Sequence, residues 1–146
     1  MDKLPSIVAV MGTNASGKSA LAVRLAKHFS GEVVSADSRQ VFRGLDLGSG
    51  KITPEEMQGV PHHLIDVVRP NDFYSMADFQ RQAYRAIDGI LARGHLPFLA
   101  GGTGLYLSAV TEGYRLSDKA PDLSYRTELE QLSTATLARM LEEELP

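Results

Sequence analysis

Hydrophobic positions along the 146-residue chain fall into short runs that are separated by amphipathic stretches. Four runs, at residues 7–11, 31–36, 63–68 and 97–100, are rich in Val, Ile, Leu and Ala, and each is followed by a glycine or a charged residue. This pattern predicts four short strands in a sheet that is covered on both faces.

The stretches between the runs carry hydrophobic residues at helical spacing. Within residues 18–28, Leu21, Leu25 and Ala26 fall on one face, which predicts an amphipathic helix. A second helix-like stretch covers residues 105–110. Because these helices alternate with the predicted strands, the fold class is α/β with a mostly parallel sheet between helices.

The clearest predicted helix begins after Ser75, a good N-cap residue with Asp78 three positions later, and ends at Gly94. Its hydrophobic face needs a sheet to pack on. That face is predicted to consist of Met76, Phe79, Ala83, Ile87, Ile90 and Leu91.

The end of the chain has a different pattern. Residues 114–125 are polar and rich in turn formers, and two short amphipathic helices are predicted around Leu129 and around Leu137. We therefore expect an α/β core over residues 1–113, followed by a linker and the beginning of a helical segment over residues 114–146. No further strand follows, so the chain is expected to be cut short.

Composition and charge narrow the function classes. Hydrophobic residues make up 43% and charged residues 23%, which is typical of a globular domain. The net charge of −3 excludes nucleic-acid binding by bulk positive charge, although a local basic patch stays possible. With no cysteine, disulfides, thiolate catalysis and cysteine-based zinc sites are excluded. No hydrophobic run is long enough for a membrane span and no signal-peptide pattern is present, so we expect a cytoplasmic protein without a membrane partner.

A phosphate-binding motif follows the first predicted strand and opens the first predicted helix. The eight residues fit the pattern G-x-x-x-x-G-K-[ST], in which glycines turn backbone N–H groups toward phosphate oxygens. The lysine adds a positive charge, and the serine hydroxyl can bind Mg²⁺. The motif predicts binding of a di- or triphosphate such as ATP but does not separate ATPases, kinases and transferases. It consists of Gly12, Thr13, Asn14, Ala15, Ser16, Gly17, Lys18 and Ser19.

Polar residues follow the other predicted strands. Asp37 opens the sequence Asp-Ser-Arg-Gln after the second strand, Asp66 belongs to the third, and residues 101–104 form a Gly-Gly-Thr-Gly turn after the fourth. Ligands of open α/β sheets bind at the carboxyl ends of the strands, so these residues are expected to converge. The alternatives are that Asp37 is a turn or helix-capping carboxylate and that residues 101–104 are only a tight connection.

His62 and His63 are adjacent and should point to opposite sides of a strand, so they do not suit one metal ion. We predict that one is a structural hydrogen-bonding residue and that the other faces the cleft. Lys51, Arg39 and Arg43 are predicted to supply positive charge there.

In order along the chain, the motifs GTNASGKS, SADSRQVFRGLDLGSGK, GVPHHLID, YSMADF and LPFLAGGTGLYL resemble the tRNA dimethylallyltransferases, also called tRNA isopentenyltransferases. The resemblance covers residues 7–113. It implies a P-loop NTPase-like three-layer fold with a helical insertion, and transfer of a dimethylallyl group from dimethylallyl diphosphate to N6 of an adenine beside the anticodon of tRNA.

The resemblance also implies roles for single residues. Residues 12–19 would hold the diphosphate, with Ser19 helping to bind Mg²⁺ and Lys18 stabilising the leaving group. Asp37 would be the general base, and Thr103 would approach the reacting centre. The residues expected to contact tRNA are Asp37, Ser38, Arg39, Gln40 and Thr103.

Three alternatives remain open from the sequence. The chain could be an adenylate isopentenyltransferase, a P-loop small-molecule kinase, or a phosphate-binding fragment without a complete catalytic site. A kinase would need several arginines to clamp the transferred phosphoryl group, and the distal arginines are scattered. Family members are commonly about twice as long and are expected to be monomers, while the oligomeric state of this chain stays open.

Overall fold

The computed structural model of the chain describes residues 6–117 and 122–144. The chain divides into two units, residues 1–116 and 117–146. The first unit contains a four-stranded sheet in which all neighbouring strands are parallel, in the order β1-β4-β2-β3. Its elements are β1 (Val8–Met11), α1 (Lys18–His28), β2 (Gly31–Ser35), α2 (Pro54–Met57), β3 (His62–His63), α3 (Met76–Ala92), β4 (Leu96–Gly101) and α4 (Gly104–Thr111).

Helices cover both faces of this sheet, which confirms the predicted three-layer α/β fold. Helix α1 packs on one face of the central strands, against Val33 and Phe98, through side chains that exclude water. Helices α3 and α4 cover the other face, where Phe79 and Tyr106 stack with ring centroids 4.0 Å apart. The buried face of α3 contains Phe79, Ala83, Ile87 and Ile90, as predicted from the spacing. The sheet is therefore a rigid support whose strand ends can hold a site.

Helix α3 begins as the sequence predicts. The Ser75 hydroxyl accepts a hydrogen bond from the Asp78 amide at 3.1 Å, and the Asp78 carboxylate accepts one from the Ser75 amide at 3.0 Å. This capping box satisfies backbone donors that the first helical turn leaves without partners.

Two details of the prediction are wrong. In α1, Ala26 is buried and Leu25 packs against the core as predicted, but Leu21 is 48% exposed and Ala22 and Val23 are buried instead. The predicted third strand over residues 63–68 is mostly a turn. Leu64 and Asp66 have φ values of 63° and 56°, so the chain leaves the extended conformation directly after His63.

The second unit contains two short helices, α5 (Leu123–Glu130) and α6 (Thr134–Glu144), in the region where two were predicted. Helix α5 begins at Asp122, whose carboxylate accepts a hydrogen bond from the Tyr125 amide at 3.0 Å. Within the described ranges, neither helix of this unit has a buried residue, and no helix of the chain is long and apolar enough to cross a membrane.

A buried carboxylate lies at the start of β2, away from the polar strand ends. Glu32 is 3% exposed and receives two hydrogen bonds from the Arg93 guanidinium, at 2.9 and 2.8 Å. The rings of His63 and His95 lie 2.6 and 2.7 Å from its oxygens. The Arg93 hydrogen bonds, opposed by burial and reinforced by the two histidines, lower the pKa of Glu32 from 4.5 to about 2. The carboxylate is therefore ionised in the folded protein at neutral pH.

We expect Glu32→Gln to lower the free energy of unfolding at pH 7 by about 2–3 kcal/mol, because the amide loses charge-assisted hydrogen bonds in a buried position. Urea unfolding measures this change, and Glu112→Gln, at an exposed position after α4, is the control. Since the folded state lowers the pKa, the stabilisation is complete above pH 4.5 and is lost as the pH falls toward 2. If the free energies of unfolding of the unmodified chain and of Glu32→Gln differ by the same amount from pH 6 to pH 2.5, this explanation is wrong.

Candidate active site

The loop between β1 and α1 has the conformation that an anion requires. Ala15 and Gly17 adopt left-handed backbone conformations, with φ values of 59° and 82°. Among the described residues, the amides of residues 13–17 have no hydrogen-bond acceptor. Successive free N–H groups in such a loop form a concave anion site, and the beginning of α1 adds its positive dipole end. The loop therefore fits a diphosphate.

Lys18 and Ser19 lie in the first turn of α1. The Lys18 ammonium donates a hydrogen bond to the Thr13 carbonyl at 2.5 Å, which folds the side chain back over the loop. The described residues contain no cluster of three His, Asp or Glu side chains suited to a metal ion. This arrangement fits Mg²⁺ only in the form in which it binds with phosphates, through one or two protein oxygens such as the Ser19 hydroxyl and several ligand oxygens.

The loop opens into a cavity of about 610 Å³ at the carboxyl ends of the strands. Asp37 and Gln40 line it from the segment after β2, and Gly101 and Gly102 line it from the end of β4. The segments that follow β1, β2 and β4 thus meet at one cavity, as predicted, but Asp66 of the predicted third strand does not line it. An ideal Cβ on Gly102 would lie 2.9 Å from the Asn14 side-chain oxygen, which shows how closely the second glycine turn approaches the phosphate loop.

The Asp37 carboxylate is held by its own turn. Its Oδ1 atom accepts hydrogen bonds from the amides of Arg39 at 2.9 Å and Gln40 at 3.2 Å. The turn role that the sequence left open is therefore real, but it occupies only one carboxylate oxygen. Within the described part of the chain, Oδ2 accepts no hydrogen bond. Because Asp37 also lines the cavity, this oxygen is available to a substrate.

Thr103 ties the two strand ends together. Its hydroxyl accepts a hydrogen bond from the Ser38 amide at 2.9 Å and donates to the Ser38 hydroxyl at 3.2 Å. Its own amide donates to the Ala36 carbonyl at 3.2 Å. These bonds hold the residues on both sides of Asp37. In this structure the Thr103 side chain therefore acts on the position of the carboxylate.

The Asp-Ser-Arg-Gln sequence divides between surface and interior. Arg39 is exposed, while Gln40 is 9% exposed and its side-chain amide donates to the Gly50 carbonyl at 3.3 Å. Gln40 thus connects the Asp37 turn to the loop at residues 42–51. Sequence reasoning did not find this connection, because nothing in the local pattern marks Gly50 as an acceptor.

The predicted positive charge of Lys51 is neutralised. Its side chain is only 6% exposed, and the ammonium donates to Asp46 at 2.7 Å, to Asp66 at 2.5 Å and to the Phe42 carbonyl at 2.9 Å. Burial alone would lower the pKa of Lys51, but the two carboxylates raise it above the usual value. Asp66, expected among the converging polar residues, faces this ammonium because the turn after His63 redirects it.

The two histidines divide their roles as predicted. His63 binds Glu32, whereas His62 lines the cavity. The Nδ1 atom of His62 lies 2.8 Å from the Val60 carbonyl, and since a carbonyl can only accept, this nitrogen carries the proton. Burial lowers the pKa of His62, so its ring is neutral at pH 7.

The cavity also has an apolar side that the sequence analysis missed. Val33, Ile52 and Ile65 line it, opposite in character to the polar phosphate loop. A cavity of this kind suits a ligand with a phosphate group at one end and a hydrocarbon at the other.

Comparison of the sequence with models of known protein families shows which family the chain belongs to. A family model described as IPP transferase matches residues 40–146, and another described as isopentenyl transferase matches residues 5–70. The chain belongs to the IPP transferase family. The resemblance to tRNA dimethylallyltransferases that the motifs indicate is confirmed.

Relatives of this IPP transferase chain include proteins named tRNA dimethylallyltransferase. The protein of Thermomicrobium roseum is 54% identical over 130 residues, and that of Streptococcus pneumoniae is 49% identical over 140 residues. The matches cover 89% and 94% of this chain but 40% and 48% of the relatives. The chain thus spans less than half the length of these relatives.

Solved structures agree with the fold. The full-length tRNA isopentenylpyrophosphate transferase of Bacillus halodurans is 48% identical and superposes with a TM-score of 0.77, over 98% of this chain and 48% of that one. A eukaryotic dimethylallyltransferase acting on tRNA is 29% identical with a TM-score of 0.71, over 87% of this chain and 36% of that one. The P-loop NTPase-like fold expected from the resemblance is therefore confirmed.

We expect Gly101→Ala to destabilise the IPP transferase chain by about 2 kcal/mol or more, because overpacking of a rigid backbone contact has a cost of this size. A Cβ at this position would lie 2.1 Å from the Ala36 carbonyl oxygen. Thermal unfolding measures the loss. Gly104→Ala is the matched control, since a Cβ there meets nothing within 4 Å, and it should leave stability unchanged or raise it. Equal stability of the two variants would disprove the close approach.

Proposed function

We propose that this chain carries the phosphate-binding and base-bearing part of an enzyme that transfers a dimethylallyl group from dimethylallyl diphosphate to N6 of an adenine beside the anticodon of tRNA. The observation that supports it best is a single cavity that joins the phosphate loop, Asp37 and an apolar wall. The relatives' names, tRNA dimethylallyltransferase, support the same reaction class.

In this proposal the diphosphate lies on the free amides of residues 13–17, and the C5 hydrocarbon lies toward Ile52 and Ile65. Lys18 exchanges the Thr13 carbonyl for phosphate oxygens. Mg²⁺, held by Ser19 and the diphosphate, would neutralise charge on the leaving oxygens. Preorganised donors at the place where charge develops supply the largest share of such catalysis.

The adenine amine attacks C1 of the dimethylallyl group. The new bond joins N6 to C1, the C1–O bond breaks, and the electron pair leaves with the diphosphate. The amine becomes acidic as its new bond forms, and the free Oδ2 of Asp37 is positioned to take its proton. Thr103 holds the Asp37 turn through Ser38 in this scheme.

The acceptor adenine must leave its base stack to reach such a cavity. Ser38 and the exposed Arg39 lie beside Asp37 and are proposed to contact the tRNA around that base, whereas the Gln40 side chain supports the site from inside. A tRNA substrate makes a cytoplasmic location the natural one.

The first test concerns the ligand. Dimethylallyl diphosphate with Mg²⁺, at a hundredfold excess over its Kd, should raise the melting temperature by about 5 °C or more, because it binds only the folded state. The shift should exceed that from ATP, since the apolar wall contacts only the prenyl ligand, and it should fall when Mg²⁺ is chelated. An ATP shift as large as the prenyl shift would favour a nucleotide kinase instead.

The second test concerns chemistry. Labelled dimethylallyl diphosphate should transfer its prenyl group to unmodified tRNA, and Asp37→Asn should slow transfer by about 10²–10⁴-fold, the range for loss of a general base. The asparagine oxygen can still accept the two amide hydrogen bonds, so the turn and the melting temperature should be retained. Label on AMP rather than tRNA would identify a free-nucleotide acceptor. Absence of transfer to either acceptor by an unmodified chain that still binds dimethylallyl diphosphate would identify it as a phosphate-binding fragment without a complete catalytic site.

A further inference from the structure

We propose that Lys51 is a positioning residue that fixes the apolar wall of the cavity, by joining the chain segments that carry Ile52 and Ile65. The inference rests on the proposed function, because it assigns the wall to the hydrocarbon of a prenyl diphosphate. In this role, Lys51 affects how tightly the cavity binds the hydrocarbon and which hydrocarbon chain lengths it accepts.

The contacts of Lys51 span two separate segments. Within its own loop, the ammonium donates to the Phe42 carbonyl and to Asp46. Across the cavity wall, it donates to Asp66, 15 residues away in sequence. The side chain is almost completely buried, whereas the side chains of Asp46 and Asp66 are 67% and 47% exposed. The lysine is therefore the fixed centre of the cluster, and its carboxylate partners come to it from the surface.

The position of these partners in sequence gives the cluster its function. Lys51 directly precedes Ile52, and Asp66 directly follows Ile65, so the ion pair connects the backbone neighbours of the two isoleucines. Both isoleucines line the cavity. The ion pair therefore limits how far the two segments, and with them these two apolar side chains, can move apart.

Asp66 belongs to a turn that needs an external support. Leu64 and Asp66 both adopt left-handed conformations. Aspartate tolerates this conformation, but leucine rarely adopts it, so the unfavourable backbone of the turn lies at Leu64. The other described hydrogen bonds of Asp66 involve only its backbone, from its amide to the Gln40 carbonyl and to its carbonyl from the Arg43 side chain. The ammonium of Lys51 is the described partner that holds the Asp66 side chain.

The variants are chosen so that the chain still folds. Lys51→Met keeps a long apolar stem in the buried channel and leaves two carboxylates that are already largely exposed to water. Asp66→Asn removes the charge that connects the turn to the ammonium. Asp46→Asn is the matched control: it removes a carboxylate from the same ammonium, but Asp46 belongs to the loop of Lys51, and its backbone carbonyl still accepts from the Lys51 amide at 3.1 Å.

The experiment measures binding of three probes to the full chain with Mg²⁺ by calorimetry: inorganic diphosphate, dimethylallyl diphosphate and the longer geranyl diphosphate. In Lys51→Met and Asp66→Asn, the Kd of dimethylallyl diphosphate should rise by about tenfold, the effect of a small misfit in an apolar pocket. The Kd of inorganic diphosphate should stay within about twofold, and discrimination against geranyl diphosphate should weaken. Asp46→Asn should retain the selectivity of the unmodified chain.

The outcomes separate this inference from the proposed function. If the unmodified chain binds dimethylallyl diphosphate no more tightly than inorganic diphosphate, the proposed function itself fails. If it prefers the prenyl ligand and Lys51→Met keeps the same ratios among the three probes, the positioning role is disproved even if the variant melts at a lower temperature. A proportional loss of all three ligands would show a structural role only.

Discussion

The site depends on the close approach of two backbone segments, the end of β4 and the residues that follow β2. The Ala36 amide donates to the Ala100 carbonyl at 2.8 Å, and the Ala36 carbonyl accepts from the Thr103 amide. No side chain fits between the two segments at Gly101. Because this contact fixes Asp37 relative to the glycine turn, and the glycine turn lies close to the phosphate loop, Asp37, the proposed base, and the loop are held in one frame. Parallel strand pairing is what makes such convergence possible.

The structure buries two charged side chains, Glu32 and Lys51, in two different places. A charge that is taken out of water needs several hydrogen-bond partners, or its burial costs several kcal/mol. Glu32 receives its partners from β3 and from the two residues Arg93 and His95 in the connection between α3 and β4, at the end of the sheet away from the cavity. Lys51 receives its partners from the loop and turn that flank the cavity. The first cluster binds the layers of the fold to each other, and the second shapes the cavity wall.

Sequence reasoning succeeded where the signal is local. The phosphate loop and the capping box at Ser75 are fixed by residues within a few positions, and both form as predicted. It failed where contacts between residues distant in sequence determine the backbone conformation or the hydrogen-bond partners. The run at residues 63–68 has strand-like composition, but Leu64 turns away because its side chain joins the core under α3. The side-chain partners of Lys51 lie 5 to 15 residues away and the Gly50 partner of Gln40 lies 10 residues away, so no local pattern marks them. Lys51, one of the three cations predicted to supply positive charge to the cleft, is therefore already paired.

The chemistry of a carboxylate base limits the order of events in the proposed transfer. One oxygen of Asp37 accepts two backbone hydrogen bonds, so the other oxygen is the one that can take a proton from a substrate. Any carboxylate is a poor base toward a neutral aromatic amine. It becomes an effective proton acceptor only once the nitrogen has begun to bond to carbon and carries positive charge. In the proposed reaction, departure of the diphosphate therefore leads and proton transfer follows. This order would place the main demand of catalysis on the phosphate loop, Lys18 and bound Mg²⁺ rather than on Asp37.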